Sequence, residues 1–339
     1  MTLPVGVPIL LLLFKRFVVN SCMNQLLSID RVKSPTEPQN ELFVQWSFGN
    51  LCNWACEYCP PYLHNASFSW PSYESATNFL TNLFTHIKQS NNTMRLDFLG
   101  GEVTLCKYFP EILQLCWANN TRTSIITNGS RTKRYWSEIL PFLSIVNFTY
   151  HPQHSDFTHY KEIVGMAIKE NCKVFCQFAA VPQYMDDINS YAEELISTYN
   201  HDVVIIIKPL FDKINQTGNH YYKYSKEHLD IMFGEGPGET IKDQILTYAD
   251  GTTKLYGSNE VLSYKLNNFK GMYCEIGTNL IIIDMRGNIR TGVCPQSKII
   301  GNISDTVFTF PTDPVQCNQN LCLNPLNLYV AKRASTGKY

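Results

Sequence analysis

Three cysteines stand close together at Cys52, Cys56 and Cys59, in a C-x3-C-x2-C pattern. Trp54 and Tyr58 lie among them, with Gly49-Asn50 before and Pro60-Pro61 after, and such punctuation marks irregular backbone. Irregular backbone lets thiolates approach one centre from several directions. Three thiolates are one short of a closed tetrahedral site. A [4Fe–4S] cluster that only stores an electron takes four, so a cluster held by three leaves one iron open to an outside ligand. Zinc is the competing occupant, with His64, five residues beyond Cys59, as a fourth ligand.

A second group lies near the far end, at Cys274, Cys294, Cys317 and Cys322. Two β-type runs, 279–284 and 289–293, flank Met285-Arg286-Gly287 in the pattern of a hairpin. Folding at that turn puts Thr278 opposite Cys294 and brings the neighbourhoods of Cys274 and Cys294 together. Cys317 and Cys322 add two thiolates from a loop rich in Asn and Pro. Four thiolates can close a zinc site or fully ligate an iron–sulfur cluster. Cys172 and Cys176 repeat the C-x3-C spacing, but on an extended strand their Cα atoms stand about 13 Å apart, too far to share a metal. Those two, with Cys106 and Cys116, read as core residues.

The elements that must position these groups alternate. Strands are expected at 42–46, 94–99, 124–127, 145–150, 173–181 and 203–207. Helices are expected at 73–87, 110–117, 135–142, 159–168 and 191–197, the first from apolar residues at Phe79, Leu80, Leu83, Phe84 and Ile87. Six strand–helix alternations imply a parallel sheet buried on both faces, short of the eight of a closed barrel. The cysteine loop, Gly100-Gly101-Glu102 and Thr127-Asn128-Gly129 all fall at predicted strand C-termini, where ligands sit in such sheets. Thr149, His151 and His154 follow the fourth strand, and Gln177 lies within the fifth. Beyond residue 210 the periodicity fades, with a loop at 234–238 and a helix at 221–230, and a domain change is expected near residue 265.

The cysteine spacing, the aromatic Tyr58 before the last cysteine and the Pro60 after it resemble the radical SAM superfamily. The resemblance spans roughly 41–330. It implies an open (β/α)6 partial TIM barrel at 41–265, with a [4Fe–4S] cluster on Cys52, Cys56 and Cys59 and S-adenosylmethionine (SAM) at the open iron. It assigns Tyr58, Gly100, Gly101, Glu102, Thr127, Asn128, Gly129 and Gln177 to the cofactor's surroundings. Glu102 would accept hydrogen bonds from the methionyl amino group, and the glycines would let that group approach. For Thr127 to Gly129 an N-cap and turn before the next helix is an equal alternative. The C-terminal stretch, 266–339, is similar to the SPASM and shorter twitch extensions, here a small cysteine-rich hairpin domain. With four cysteines rather than about seven, it implies one auxiliary Fe–S cluster on Cys274, Cys294, Cys317 and Cys322, zinc being the alternative. The implied activity is reductive cleavage of SAM to a 5′-deoxyadenosyl radical that takes hydrogen from a peptide or protein side chain. The alternatives are a small metabolite, sugar or nucleotide as substrate, and a zinc-stabilised binding protein with no activity. An electron donor such as flavodoxin or ferredoxin is implied as partner.

Composition limits other functions. With 28 basic and 29 acidic residues in 339, the net charge of −1 gives no bulk attraction to nucleic acid or anionic membranes. Twelve cysteines, clustered at short spacings, suit metal ligation in a reducing, cytoplasmic compartment better than disulfides. The apolar run at 9–14 is too short to span a bilayer, and Lys15 and Arg16 follow it rather than precede it as in a signal peptide. Residues 1–40 are expected to be an N-terminal extension, disordered or over-extended with Met23 as the first residue, and no stable membrane association is expected.

Overall fold

The computed structural model describes residues 29–34, 41–215, 218–233, 237, 244–306 and 309–334. After β1 (Ile29–Lys33), six strands follow: β2 (Glu41–Ser47), β3 (Thr93–Leu99), β4 (Arg122–Thr127), β5 (Ile145–Tyr150), β6 (Lys173–Ala180) and β7 (Val203–Pro209). Between them run α1 (Tyr73–Ser90), α2 (Phe109–Ala118), α3 (Lys133–Ile139), α4 (Phe157–Lys169) and α5 (Met185–Tyr199). Strands β2 to β7 pair in parallel and in chain order, and each crossover helix supplies the long connection parallel pairing needs.

Local chemistry fixes the elements. Helix α1 starts at Ser72, whose hydroxyl accepts from the Ser75 N–H at 3.0 Å, and it ends at Asn91 with φ 54°. Between the caps Ala76, Phe79, Leu80, Leu83 and Phe84 form the buried stripe. Along β5 and β6 the alternate residues Val146, Phe148, Val174, Cys176 and Phe178 are buried against the helices. Cys106, Cys116 and Cys172 are buried in the same core. The other alternates face the concave side, because strand side chains point to opposite faces in turn. There they form rows across the sheet: Gln45, Asp97 and Ser124 low down, Asn147 with Phe175, then Thr149 with Gln177 and Ile206, and Lys208 at the rim.

The second half adds β8 (Phe211–Asn215) and β9 (Gly218–Tyr221), a two-stranded ribbon, then α6 (Lys226–Phe233). The expected helix at 221–230 thus begins five residues later, and the loop expected at 234–238 lies, apart from Pro237, outside the described residues. Next come β10 (Gln244–Tyr248), β11 (Thr253–Tyr256), α7 (Ser258–Ser263), β12 (Tyr273–Cys274), β13 (Leu280–Ile283) and β14 (Asn288–Arg290). Strands β15 (Ile299–Asn302) and β16 (Val315–Gln316), helix α8 (Pro325–Tyr329) and strand β17 (Lys332–Arg333) complete the order.

The hairpin β13–β14 forms about the expected turn: Ile282 faces Arg290, the register that sets Thr278 opposite Cys294. β13 pairs in parallel with β2, so β15-β14-β13 extends the main sheet to nine open strands. The physical reason is the edge: a parallel sheet that begins at β2 leaves one side of that strand unpaired, and an unpaired edge needs a cover. A second sheet, in the order β11-β10-β1-β17-β12-β16, joins segments from both sides of residue 265. Its β1 comes from the stretch expected as an N-terminal extension; residues 1–28 and 35–40 lie outside the described residues.

Candidate metal centre and cofactor site

The cysteine loop is tied down by Asn50, fully buried at the end of β2. Its side-chain amide donates to the Tyr62 carbonyl (2.7 Å), Asn65 Oδ1 (2.8 Å) and Ser67 Oγ (3.1 Å), and its oxygen accepts from the Phe68 N–H (2.8 Å). The loop therefore closes on itself around the three cysteines. Within it the Cys59 N–H donates to the Cys56 carbonyl (2.9 Å), and the Trp54 N–H donates to Cys52 Sγ (3.4 Å). Cys56 is buried; Cys52 and Cys59 are half-buried.

Burial raises the pKa of all three thiols, Cys59 to about 11. Cys59 also feels the charges of Cys56 and Cys52, so the three are near enough to repel one another as thiolates. A polycation shared between them would relieve that repulsion, and in donor chemistry they fit a cluster. Among the described residues, no group of three or more His, Cys, Asp or Glu is gathered at the spacing of a single chelated ion. The imidazole that meets the thiols belongs to His151 rather than His64. Its Nδ1 lies 3.5 Å from Cys56 Sγ and 2.7 Å from Tyr58 Oη. Burial, with the charges of His154 and Lys208, pushes His151 down to about 4. Trp54 packs edge-on to His151 and stacks on His154 at 5.4 Å, roofing this side of the loop.

Gly100 and Gly101 end β3 against the backbone of the cysteine loop. The Gly101 N–H donates to the Gly49 carbonyl (3.0 Å) and the Glu102 N–H to the Leu51 carbonyl (2.7 Å). A Cβ on Gly100 would stand 2.3 Å from the Gly49 oxygen, and one on Gly101 would stand 2.1 Å from the Leu51 oxygen. The close approach these glycines permit is thus that of the loop itself.

Glu102 is fully buried. Its Oε1 accepts from the Thr104 N–H (3.1 Å), Thr104 Oγ1 (2.5 Å) and Thr127 Oγ1 (2.9 Å), and its Oε2 from the Asn128 N–H (2.7 Å). Burial raises its pKa, and these four bonds oppose the rise. Oε1 accepts three bonds and Oε2 one, so the carboxylate is held entirely by protein donors.

Asn128 carries the network onward, its Nδ2 donating to Asn53 Oδ1 (3.0 Å) and standing 3.8 Å from Cys52 Sγ. Asn53 in turn donates to Ser130 Oγ (3.0 Å). The N-cap of α3 is Thr132, so Thr127 and Asn128 serve the network rather than that helix. Thr149 and Gln177 share a row on the concave face, Gln177 half-buried. Beside the rim, Ser67, Ser69, Ser72, Asp284, Arg286 and Asn302 line part of a cavity of about 340 Å³ between the loop's exit and the hairpin turn.

The C-terminal quartet converges from four segments. Cys274 lies in β12, and Cys317 follows β16 with its N–H bonded to the Met272 carbonyl (2.8 Å). The Cys322 N–H is held by the Asn267 carbonyl (2.8 Å), and Cys294 packs on the cluster containing Cys274. Cys274 and Cys322 each feel the charges of the other cysteines, and burial raises both, Cys322 to about 11. All eleven described cysteines are free thiols, so the four are available as thiolate donors, spread wider than a single chelated ion requires. The same apolar cluster holds Phe43 of β2 and Leu280 and Ile282 of β13, which puts the quartet on the concave side of the main sheet.

Sequence reasoning missed Asn50, Asn53 and Lys208 at this site. An Asn on either side of Cys52 was the available signal for the first two.

No protein-family model and no curated protein matches the sequence. Solved structures similar to the chain include anSMEcpe with bound AdoMet and Streptococcus suis SuiB. For anSMEcpe with bound AdoMet the identity is 15%, with 78% of each chain covered and a TM-score of 0.49. For Streptococcus suis SuiB the identity is 14%, with 78% of this chain and 64% of that chain covered and a TM-score of 0.47. Among the described residues no helix is long and apolar enough to cross a membrane.

Proposed function

We propose that the chain is a radical SAM enzyme with one auxiliary metal centre, acting on a peptide or protein side chain. One observation carries the proposal: the motifs after β2, β3 and β4 form a single hydrogen-bonded unit. Glu102 and Asn128 join Gly100-Gly101 to Thr127 and to Cys52. Three bland turns would have no reason to share a buried carboxylate.

The residues divide the work. Cys52, Cys56 and Cys59 would hold the [4Fe–4S] cluster, and Glu102, in the role the resemblance implies, would receive the methionyl amino group. Gln177 and Thr149 line the way into the concave face, and Trp54 with His154 screens the loop from water. When bound, the cluster and SAM supply one-electron cleavage to a 5′-deoxyadenosyl radical, which removes hydrogen from substrate. Dry walls around such a radical suppress quenching. Polar side chains along the concave rows favour a substrate with many hydrogen-bonding groups, as a peptide has. A flavodoxin or ferredoxin would supply the electron.

Anaerobic reconstitution with iron and sulfide tests this directly. About eight irons per chain are expected if both centres are [4Fe–4S], with 5′-deoxyadenosine released on reduction in the presence of SAM. Cys56→Ala should abolish that release. Two zinc ions bound and no cleavage would sink the proposal in favour of a zinc-stabilised binding protein.

A further inference from the structure

Lys332 is 1% exposed, among the most buried side chains in the molecule. An ammonium withdrawn from water is costly unless something compensates its charge. Its Nζ donates to the carbonyls of Asn327 (2.6 Å), Val330 (2.7 Å) and Leu328 (3.4 Å), and it lies 4.9 Å from the centroid of the Phe269 ring. These are dipoles and a π face, and none carries a full negative charge. Among the described residues no carboxylate pairs with it. Glu275, next along the chain from Cys274, is held by Arg333 (2.5 Å) and by the Thr278 hydroxyl (2.6 Å).

What stands beside the ammonium is sulfur. Antiparallel pairing of β12 with β17 sets Lys332 directly opposite Cys274, and such pairs share a face with Cβ atoms roughly 4.5–5.5 Å apart. The charge of Lys332 also reaches Cys322, on the far side of the quartet. The carbonyl collar from α8 and the residues after it holds the head group in place.

We propose that Lys332 is the built-in counter-charge of the C-terminal four-thiol centre and raises its reduction potential. This rests on the quartet being a metal centre, as proposed above. A four-thiolate iron–sulfur centre is anionic and becomes more so when it takes an electron. A fixed cation one strand away, in dry surroundings, favours the reduced form. The burial of a lysine that meets no carboxylate then has a cause.

The test compares wild type with Lys332→Met and Lys332→Gln in the reconstituted full chain, by potentiometric titration followed by electron paramagnetic resonance. A Cys317→Ser/Cys322→Ser variant identifies the signal of the second centre and should lose about half the iron. Both Lys332 variants should keep their iron and sulfide. The potential of the second centre should fall by about 59 mV or more, a tenfold loss in favour of the reduced form for a one-electron couple. The centre on Cys52, Cys56 and Cys59 should not move. Lys332→Gln keeps donors for the same carbonyls, so it decides the matter where Lys332→Met fails to fold. An unchanged second potential at full iron content would overturn the proposal while leaving the metal centre standing. If the double cysteine variant keeps all its iron, or the quartet holds zinc, the iron–sulfur assignment of the quartet itself fails and the proposal falls with it.

Discussion

At the scale of single residues, Asn128 is the side chain on which the site turns. Its main chain meets the buried carboxylate of Glu102 and its amide meets Asn53 and Cys52. Groups that orient metal ligands typically cost 10–100-fold in metal affinity or activity when removed. Asn128→Ala is therefore expected to weaken retention of the first cluster by roughly that factor, measured as iron lost to a chelator over time, with the second centre unaffected. The three cysteines and the two motifs beside them were legible as types and spacings, because metal chemistry restricts which side chains can serve. The pairing of His151 with Cys56 and Tyr58 was not, since it joins residues more than ninety positions apart through the curvature of the sheet. Lys332 was equally silent: a lysine near a C-terminal end reads as solvated until the fold encloses it.

At the scale of elements, helix α1 and the loop before β16 meet where His86 stacks on the buried ring of Phe310, centroids 4.2 Å apart. Burial lowers the pKa of His86 below its ordinary value. The unfolded chain then binds the proton more readily than the folded one, so stability is present above about pH 6.5 and is lost as pH falls from there through the lower folded-state pKa. His86→Phe should flatten this part of the profile. Thermal midpoints of wild type and variant between pH 7 and pH 5 check it, and parallel curves would contradict it. The α1 stripe, the six alternating strands and the hairpin register followed from periodicity. The start of α6 did not, because the Gly218–Tyr221 strand before it draws its pairing from β8 rather than from any local pattern.

At the scale of the molecule, the hairpin is joined to the barrel along a parallel seam. Ile281 and Ile283 of β13 enter the main core, while Leu280 and Ile282 enter the cluster that carries Cys274. The sheet and the C-terminal centre should accordingly unfold together. Calorimetry is expected to give one transition, and Ile281→Ala, at a fully buried position, should lower it by about 2–5 kcal/mol without splitting it. Two separate transitions would show that the seam does not couple them. Sequence patterns placed a domain change near residue 265 because they register local order; nothing local in β2 announces that its free edge waits for residues 280–283.

That wait has a consequence during synthesis. The strand that covers the free edge of β2, β13, emerges from the ribosome more than two hundred residues after it, on the order of tens of seconds later at typical elongation rates. Throughout that interval the nascent chain presents an open strand edge followed at once by three reduced thiols. An open edge recruits other strands, and free thiols recruit stray metal and oxidants. The half-made chain is thus more vulnerable than the finished one, and cells that produce it in quantity are expected to need a chaperone on this edge before iron is delivered to the loop behind it.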